Sequence, residues 1–365
     1  MTPFHIDIPQ AVLDRIQARL AATRIGYMPD DDDQRKYGAD ANYLADFIDY
    51  WRHDYDWRAE EEKLNRWPQY LAGIDGIAIH FYHIQGRTDR SIPVLLTHGW
   101  PGSVVEFLAA IPLLVEAGFS LVIPSLPGFG WSGRPARPIG PAKIADMWRT
   151  LMIDELGYSE FFAQGGDWGS AVTVQLALRH TDVVRAIHLN MFMTVLPGSD
   201  ADPALLAYWQ SVGAMRARES AYQMEQETKP QTIGLALHDN PVGFAAWVLE
   251  KFRDWGDTAG AIEPRFSKDQ LITNLMSYLA TDSVISAIWL YYGRAQETPA
   301  QLPVTVPTGL ACYPAEFYPL PNRELAQRAY NVAYWSEMTA GGHFAAMEEP
   351  RAFAQDLINF FGKLT

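Results

Sequence analysis

The run Gly165-Gly166-Asp167-Trp168-Gly169-Ser170 sets an acidic residue between small ones. It follows the apolar stretch Phe161-Phe162-Ala163 and precedes a helical pattern over 170–180. A tight strand-to-helix turn needs glycine at 165 and 169, because side chains there would collide, and it thrusts residue 167 toward a ligand. A carboxylate so placed can attack a saturated carbon in line and leave an alkyl ester on the protein. That chemistry suits opening of an epoxide or cleavage of a carbon–halogen bond, rather than attack on an ester. The plainer alternative is a glycine-rich turn whose Asp167 caps the next helix.

An alkyl ester must then be hydrolysed. This step requires a base for water, an acid that orients the base, and donors for the oxyanion. Gly341-Gly342-His343-Phe344 lies after the last strand pattern and before the last helix, and it offers His343 as the base. Glu316, in Tyr313-Pro314-Ala315-Glu316, follows the preceding strand and would hold the imidazole. Glu324, Glu337, Glu348 and Glu349 are its rivals by position, and read more simply as solvated surface residues. His98-Gly99-Trp100-Pro101-Gly102-Ser103 follows the strand pattern Val94-Leu95-Leu96-Thr97. It would supply the backbone N–H of Trp100 to an oxyanion hole, with Trp168 giving the second donor. His98 reads as a buried structural histidine.

Strand patterns occur at 77–82, 94–97, 121–123, 161–163 and 186–189, and again at 308–313 and 332–335. Helical patterns at 104–117, 143–156 and 170–180 lie between the later of these, and another closes the chain at about 350–363. Short buried strands alternating with helices predict an α/β fold, a mostly parallel sheet covered on both faces. From 196 to 300 the pattern is helical and aromatic, as for a cap inserted into the sheet domain. The first seventy or so residues show no strand. An amphipathic helix over 9–22 puts Val12, Leu13, Ile16 and Leu20 on one face, with Pro9 in its first turn. An acidic loop follows at Asp30–Asp33, then a helical region at 42–67. The resulting division is a leader at 1–75 packing on core and cap, core at 76–195, cap at 196–300 and core again at 301–365.

Composition narrows the partners. Of 365 residues 48% are apolar, enough for a real core, and 43 acids outnumber 29 bases to give a net charge of -14. Such an excess repels phosphate backbones and anionic membranes, which argues against nucleic acid and lipid surfaces. Cys312 has no second cysteine to pair with, which fits a reducing compartment. The stretch Met1–Gln10 lacks the apolar core of a signal peptide. Residues 107–131 carry Glu116 as their one charge and could span a bilayer by length, but Gly118, Pro124, Pro127, Gly128 and Gly130 break any helix. They read as a buried helix followed by a buried strand.

Together, the His98–Ser103, Gly166–Ser170 and Gly341–Ala346 segments resemble the microsomal-type epoxide hydrolases. So do the run Tyr222–Gly234 and the leader residues Trp57-Arg58 and Ile74-Asp75-Gly76, so the resemblance spans nearly the whole chain. It implies an α/β-hydrolase fold and two cap tyrosines that protonate the epoxide oxygen. Tyr222 opens the matching cap motif. In the pair Tyr291-Tyr292 the flanking residues favour Tyr291 over Tyr292, although Gly293-Arg294 stands where relatives commonly carry an acid. The resemblance further implies a small apolar or aromatic epoxide and water as reactants, with no cofactor and no metal; mammalian members add an amino-terminal membrane anchor, and this sequence is read as departing from them in having none. A cytoplasmic enzyme of detoxification or biosynthesis, single or as a homodimer, would fit. Trp209, Trp247, Trp255 and Trp289 in the cap hint at an aryl or extended apolar substrate. A haloalkane dehalogenase shares the Asp nucleophile and the cap, and Trp168 and Trp100 could cradle its halide, but paired tyrosines would then have no purpose. A receptor on the same scaffold usually lacks one of the nucleophile, acid and base, and all three are here.

Overall fold

The computed structural model describes residues 1–30, 34–86, 92–263 and 265–365, with residues 34 and 35 described by backbone only. Asp31–Asp33 of the expected acidic loop lie outside the described residues. The strands are β1 (Thr2–Phe4), β2 (Gln69–Ile74), β3 (Ile77–Ile84), β4 (Val94–Thr97) and β5 (Leu121–Pro124), then β6 (Phe161–Gly165), β7 (Val184–Leu189), β8 (Val304–Cys312) and β9 (Tyr330–Glu337). They form one sheet in the order β1-β2-β3-β5-β4-β6-β7-β8-β9. Pairing is antiparallel from β1 through β3 to β5 and parallel from β5 to β9. Every residue of β4, β5 and β6 is buried, as a sheet covered on both faces demands.

The leader is not free of strands, contrary to the sequence reading. β2 turns into β3 through Asp75-Gly76, both at positive φ, with Ile74 paired to Ile77. An Asp-Gly pair between apolar runs is the signal of a two-residue hairpin, and that signal places β2. The leader's helices are α1 (Gln10–Ala22), α2 (Ala41–His53) and α3 (Trp57–Leu64). α1 buries Leu13, Ile16 and Leu20, with Pro9 as its cap rather than in its first turn. The single helical region expected at 42–67 divides because Asp56 accepts from the N–H groups of Arg58 and Ala59 and starts α3 afresh.

The helix expected at 104–117 is also divided. Ser103 caps a 3₁₀ turn at Val104–Phe107, and α4 (Ile111–Glu116) begins again around Pro112, which has no N–H to continue the ladder. α5 (Pro141–Arg149) runs into a π-helical turn, and α6 (Asp167–Arg179) starts at Asp167 itself. Between β7 and β8 come α7 (Pro203–Glu219), α8 (Ala221–Thr228), α9 (Pro230–His238), α10 (Pro241–Trp255), α11 (Lys268–Leu279) and α12 (Val284–Ala295). Proline opens α7, α9 and α10, where its missing N–H costs nothing. α13 (Arg323–Ala326), α14 (Ala345–Glu348) and α15 (Pro350–Phe361) complete the fold. α1 and α2 lie against α10, and α2 and α3 against α11, so the leader packs on the helical block. No single helix among the described residues is long and apolar enough to cross a membrane, and residues 107–131 supply α4 and β5.

Candidate active site

Asp167 is the first residue of α6, at the end of β6, and its φ of 48° lies in the left-handed region that non-glycine residues avoid. The turn is as tight as the sequence pattern requires. A Cβ on Gly165 would stand 2.1 Å from the Gly169 carbonyl oxygen, and one on Gly169 would stand 1.8 Å from that of Thr97. Asp167 Oδ1 accepts the Trp100 N–H at 2.8 Å, which ties the loop after β4 to the carboxylate.

The structure brings the other expected residues to it. His343 Nε2 is 3.3 Å from Asp167 Oδ2, a charge contact without the angle of a directed hydrogen bond. On the other side His343 Nδ1 meets both oxygens of Glu316, at 3.0 and 3.1 Å. The His343 and Glu316 side chains are 2% and 1% exposed, and that of Asp167 is 17% exposed. Burial alone would depress the imidazole pKa, but the facing Glu316 and Asp167 carboxylates carry it well above its ordinary value. His98 is structural, as expected. Its Nε2 accepts from the Leu126 N–H, so Nδ1 carries the proton and donates to the Gly99 carbonyl, while burial lowers its pKa to about 4.

Tyr222 of α8 and Tyr291 of α12 stand over this site. Tyr222 stacks on Trp100 with centroids 5.6 Å apart, and Tyr291 sits edge-on to Trp168 at 4.7 Å. The two phenol rings are 6.0 Å apart. Burial foremost, and the Asp167 charge with it, raises both pKa values well above that of a free phenol, so each hydroxyl holds its proton. Tyr292, one residue on, is 37% exposed. Of the cap tryptophans, Trp255 packs 5.1 Å from the His343 ring, and Trp209 donates to the Val195 carbonyl. Trp247 and Trp289 donate to Gln226 and Gln231 within the cap.

Two acids differ from the sequence reading. Glu348, expected at the surface, is buried and accepts from the N–H groups of Asp257, Gly342 and Phe344, so it shapes the loop that carries His343. Glu106, which the sequence reading passed over, lies against Gly102 and lines a cavity of about 20 Å³ with Asp167, His343, Gln164 and Asn190. That is room for one water. Burial pushes the Glu106 pKa up to about 8; the charge on His343 draws it down and that on Asp167 draws it up. A lone acid inside the apolar run Val104-Val105-Glu106-Phe107-Leu108 was the available signal. Acids that could gather round an ion, Glu219, Glu250 and Asp254, are already met by Lys251 and Arg253.

Both loops of the site are held by the cap. Asn274 of α11 donates to the Pro101 carbonyl and accepts from Ser103 Oγ, while Tyr278 donates to the Gly102 carbonyl. The Trp255 carbonyl at the end of α10 accepts the His343 N–H at 3.0 Å, and Asp257 accepts that of Gly341. A second cavity, of about 380 Å³, reaches Asp167 along α6 and is walled by the loop Met191–Leu196, Trp209, Leu302 and Tyr330. Among the described residues, Asp167 is the one on the walls of both cavities.

Residues 1–107 match the family described as epoxide hydrolase N terminus, and residues 92–221 match the alpha/beta hydrolase fold family. The chain is 34% identical to epoxide hydrolase 1 of Oryctolagus cuniculus, over 99% of this chain and 88% of that protein. It belongs to the epoxide hydrolase family. Its structure is similar to the crystal structure of juvenile hormone epoxide hydrolase from the silkworm Bombyx mori, with a TM-score of 0.91 at 30% identity, covering 100% of this chain and 94% of the other. Aspergillus niger epoxide hydrolase gives a TM-score of 0.88 at 29% identity, over 100% and 96%. The expected α/β-hydrolase fold and membership of this family are therefore borne out, and an epoxide hydrolase is an enzyme by definition of its class.

Proposed function

We propose that the protein converts an epoxide to a vicinal diol through a covalent ester on Asp167. The observation that carries this reading is the line Glu316, His343, Asp167, with two buried, protonated phenols above the carboxylate. Asp167 attacks one ring carbon, the carbon–oxygen bond breaks, and Tyr222 or Tyr291 gives its proton to the leaving alkoxide. Alkylation removes the negative charge of Asp167, one of the two charges that keep His343 protonated, so the imidazole pKa falls and it becomes a base. A water in the small cavity then loses a proton to His343 and adds to the ester carbonyl. The N–H groups of Trp100 and Trp168 hold the oxyanion, the ester carbon–oxygen bond to Asp167 breaks, and the diol leaves. His343 becomes neutral by passing its proton to the tyrosinate, which restores the phenol; the proton it then takes from water restores the imidazolium, and the regenerated Asp167 carboxyl gives its proton to the departing alkoxide. Glu316 supports the imidazolium throughout.

The tyrosine pair also favours this reading over halide release, which gives those hydroxyls nothing to do. His343→Gln keeps the nucleophile and removes the base. Mixed with an aryl epoxide, that variant should gain the mass of the substrate on the peptide containing Asp167, while the native enzyme turns over. Diol production by the native enzyme with no adduct in the variant would exclude the ester mechanism.

A further inference from the structure

The larger cavity is apolar over most of its wall, yet one cation faces it. Arg294, in the last turn of α12, lines it together with Leu196, Trp209 and Leu302. Among the described residues, Asp167 and Arg294 are the only charged ones on that wall. Arg294 is half-buried, and among the described residues its guanidinium has no ion pair or hydrogen bond, although its carbonyl accepts the Glu297 N–H. Its acidic neighbour Glu297 turns away and accepts the Ala142 N–H. A guanidinium held beside apolar groups without an anion is poorly solvated and presents a rigid fork that matches a carboxylate.

We infer that the preferred epoxides of this enzyme carry a carboxylate that Arg294 binds. The inference rests on the epoxide reading above and names the substrate class within it. Tyr291 and Arg294 lie three residues apart on α12, so their side chains leave neighbouring positions on one face. Three residues of helix rise about 4.5 Å, and the arginine stem extends the reach, so the acid stands several bonds from the ring. The protein as a whole repels anions at a net charge of -14, so any preference for an acid must come from a local cation.

The test compares the ω-epoxide of a medium-chain fatty acid, its methyl ester and a neutral aryl epoxide, with native enzyme and with Arg294→Met and Arg294→Lys. The native enzyme should favour the acid over the ester by about tenfold or more in kcat/KM, expressed mainly in KM. That ratio should fall to about one in Arg294→Met and be kept in part by Arg294→Lys, with melting temperatures showing that both variants fold. Equal rates on acid and ester in the native enzyme, with the aryl epoxide hydrolysed, would overturn the assignment and leave the epoxide reading standing. So would an acid preference that survives in Arg294→Met. No turnover of any of the three would overturn both.

Discussion

Replacing Glu106 with Gln should flatten the dependence of stability on pH. In the folded protein burial raises this carboxyl from 4.5 to about 8, so between those values the native state holds a proton that the unfolded chain has released. A folded pKa above the unfolded one means that the stability is fully present below the unfolded value and is lost as pH rises toward the folded one. The slope is about 1.4 kcal/mol per pH unit, so from about pH 5.5 to 7.5 this one group should cost the native protein about 2–3 kcal/mol. Gln fills nearly the same space and does not titrate. Urea unfolding followed by tryptophan fluorescence, at both pH values and for both proteins, isolates the effect, because every other group is common to the two. The native protein should lose that much more stability than Glu106→Gln over the interval. Parallel losses would show that Glu106 is ionised in the folded state, and would refute the argument from burial.

Asp167→Asn should reduce steady-state diol formation by at least about ten-thousandfold, measured with an aryl epoxide, and retained activity would remove the nucleophile from the mechanism. Tyr222→Phe and Tyr291→Phe should each slow ester formation about a hundredfold in rapid-quench experiments, whereas Tyr292→Phe should leave it unchanged. Gly169→Ala puts a methyl 1.8 Å from the Thr97 carbonyl oxygen and should lower the melting temperature by several degrees or prevent folding. By contrast Gly213→Ala, within α7 and with open space around its Cβ, should stabilise by about 0.5–1 kcal/mol. Asn274→Ala leaves the Pro101 carbonyl and Ser103 hydroxyl without their partner, and should cost about 1–3 kcal/mol in urea unfolding along with a loss of activity.

The chemistry was legible where it depends on local backbone. A nucleophile between glycines, a histidine after the last strand and an acid after the preceding one are each fixed by a turn of a few residues, and the structure brings Asp167, His343 and Glu316 together. What the sequence hid depends on packing at a distance. Glu348 looked like surface charge, yet three backbone N–H groups from two segments converge on it. Glu106 needed the 3₁₀ turn to bring it to the small cavity it shares with His343, and a longer helix was expected there. The choice between Tyr291 and Tyr292 turned on which face of α12 meets Trp168. β2 was missed for a different reason: its turn signal is clear, but a six-residue strand with a mixed burial pattern gives only weak alternation.

The hydrogen bonds from Asn274, Tyr278, Trp255 and Asp257 to the two catalytic loops bear on how such enzymes can be recombined. A cap grafted from a relative would bring its own anchors, and unless they met the same carbonyls and N–H groups, the donor of Trp100 and the base of His343 would both lose their settings. Modular exchange is thus the wrong engineering unit here. The segments free to vary are those that wall the larger cavity without fastening a loop, chiefly 191–196 and the end of α12. Diversification of substrate range in this lineage should be concentrated there, with the anchoring helices inherited alongside the core.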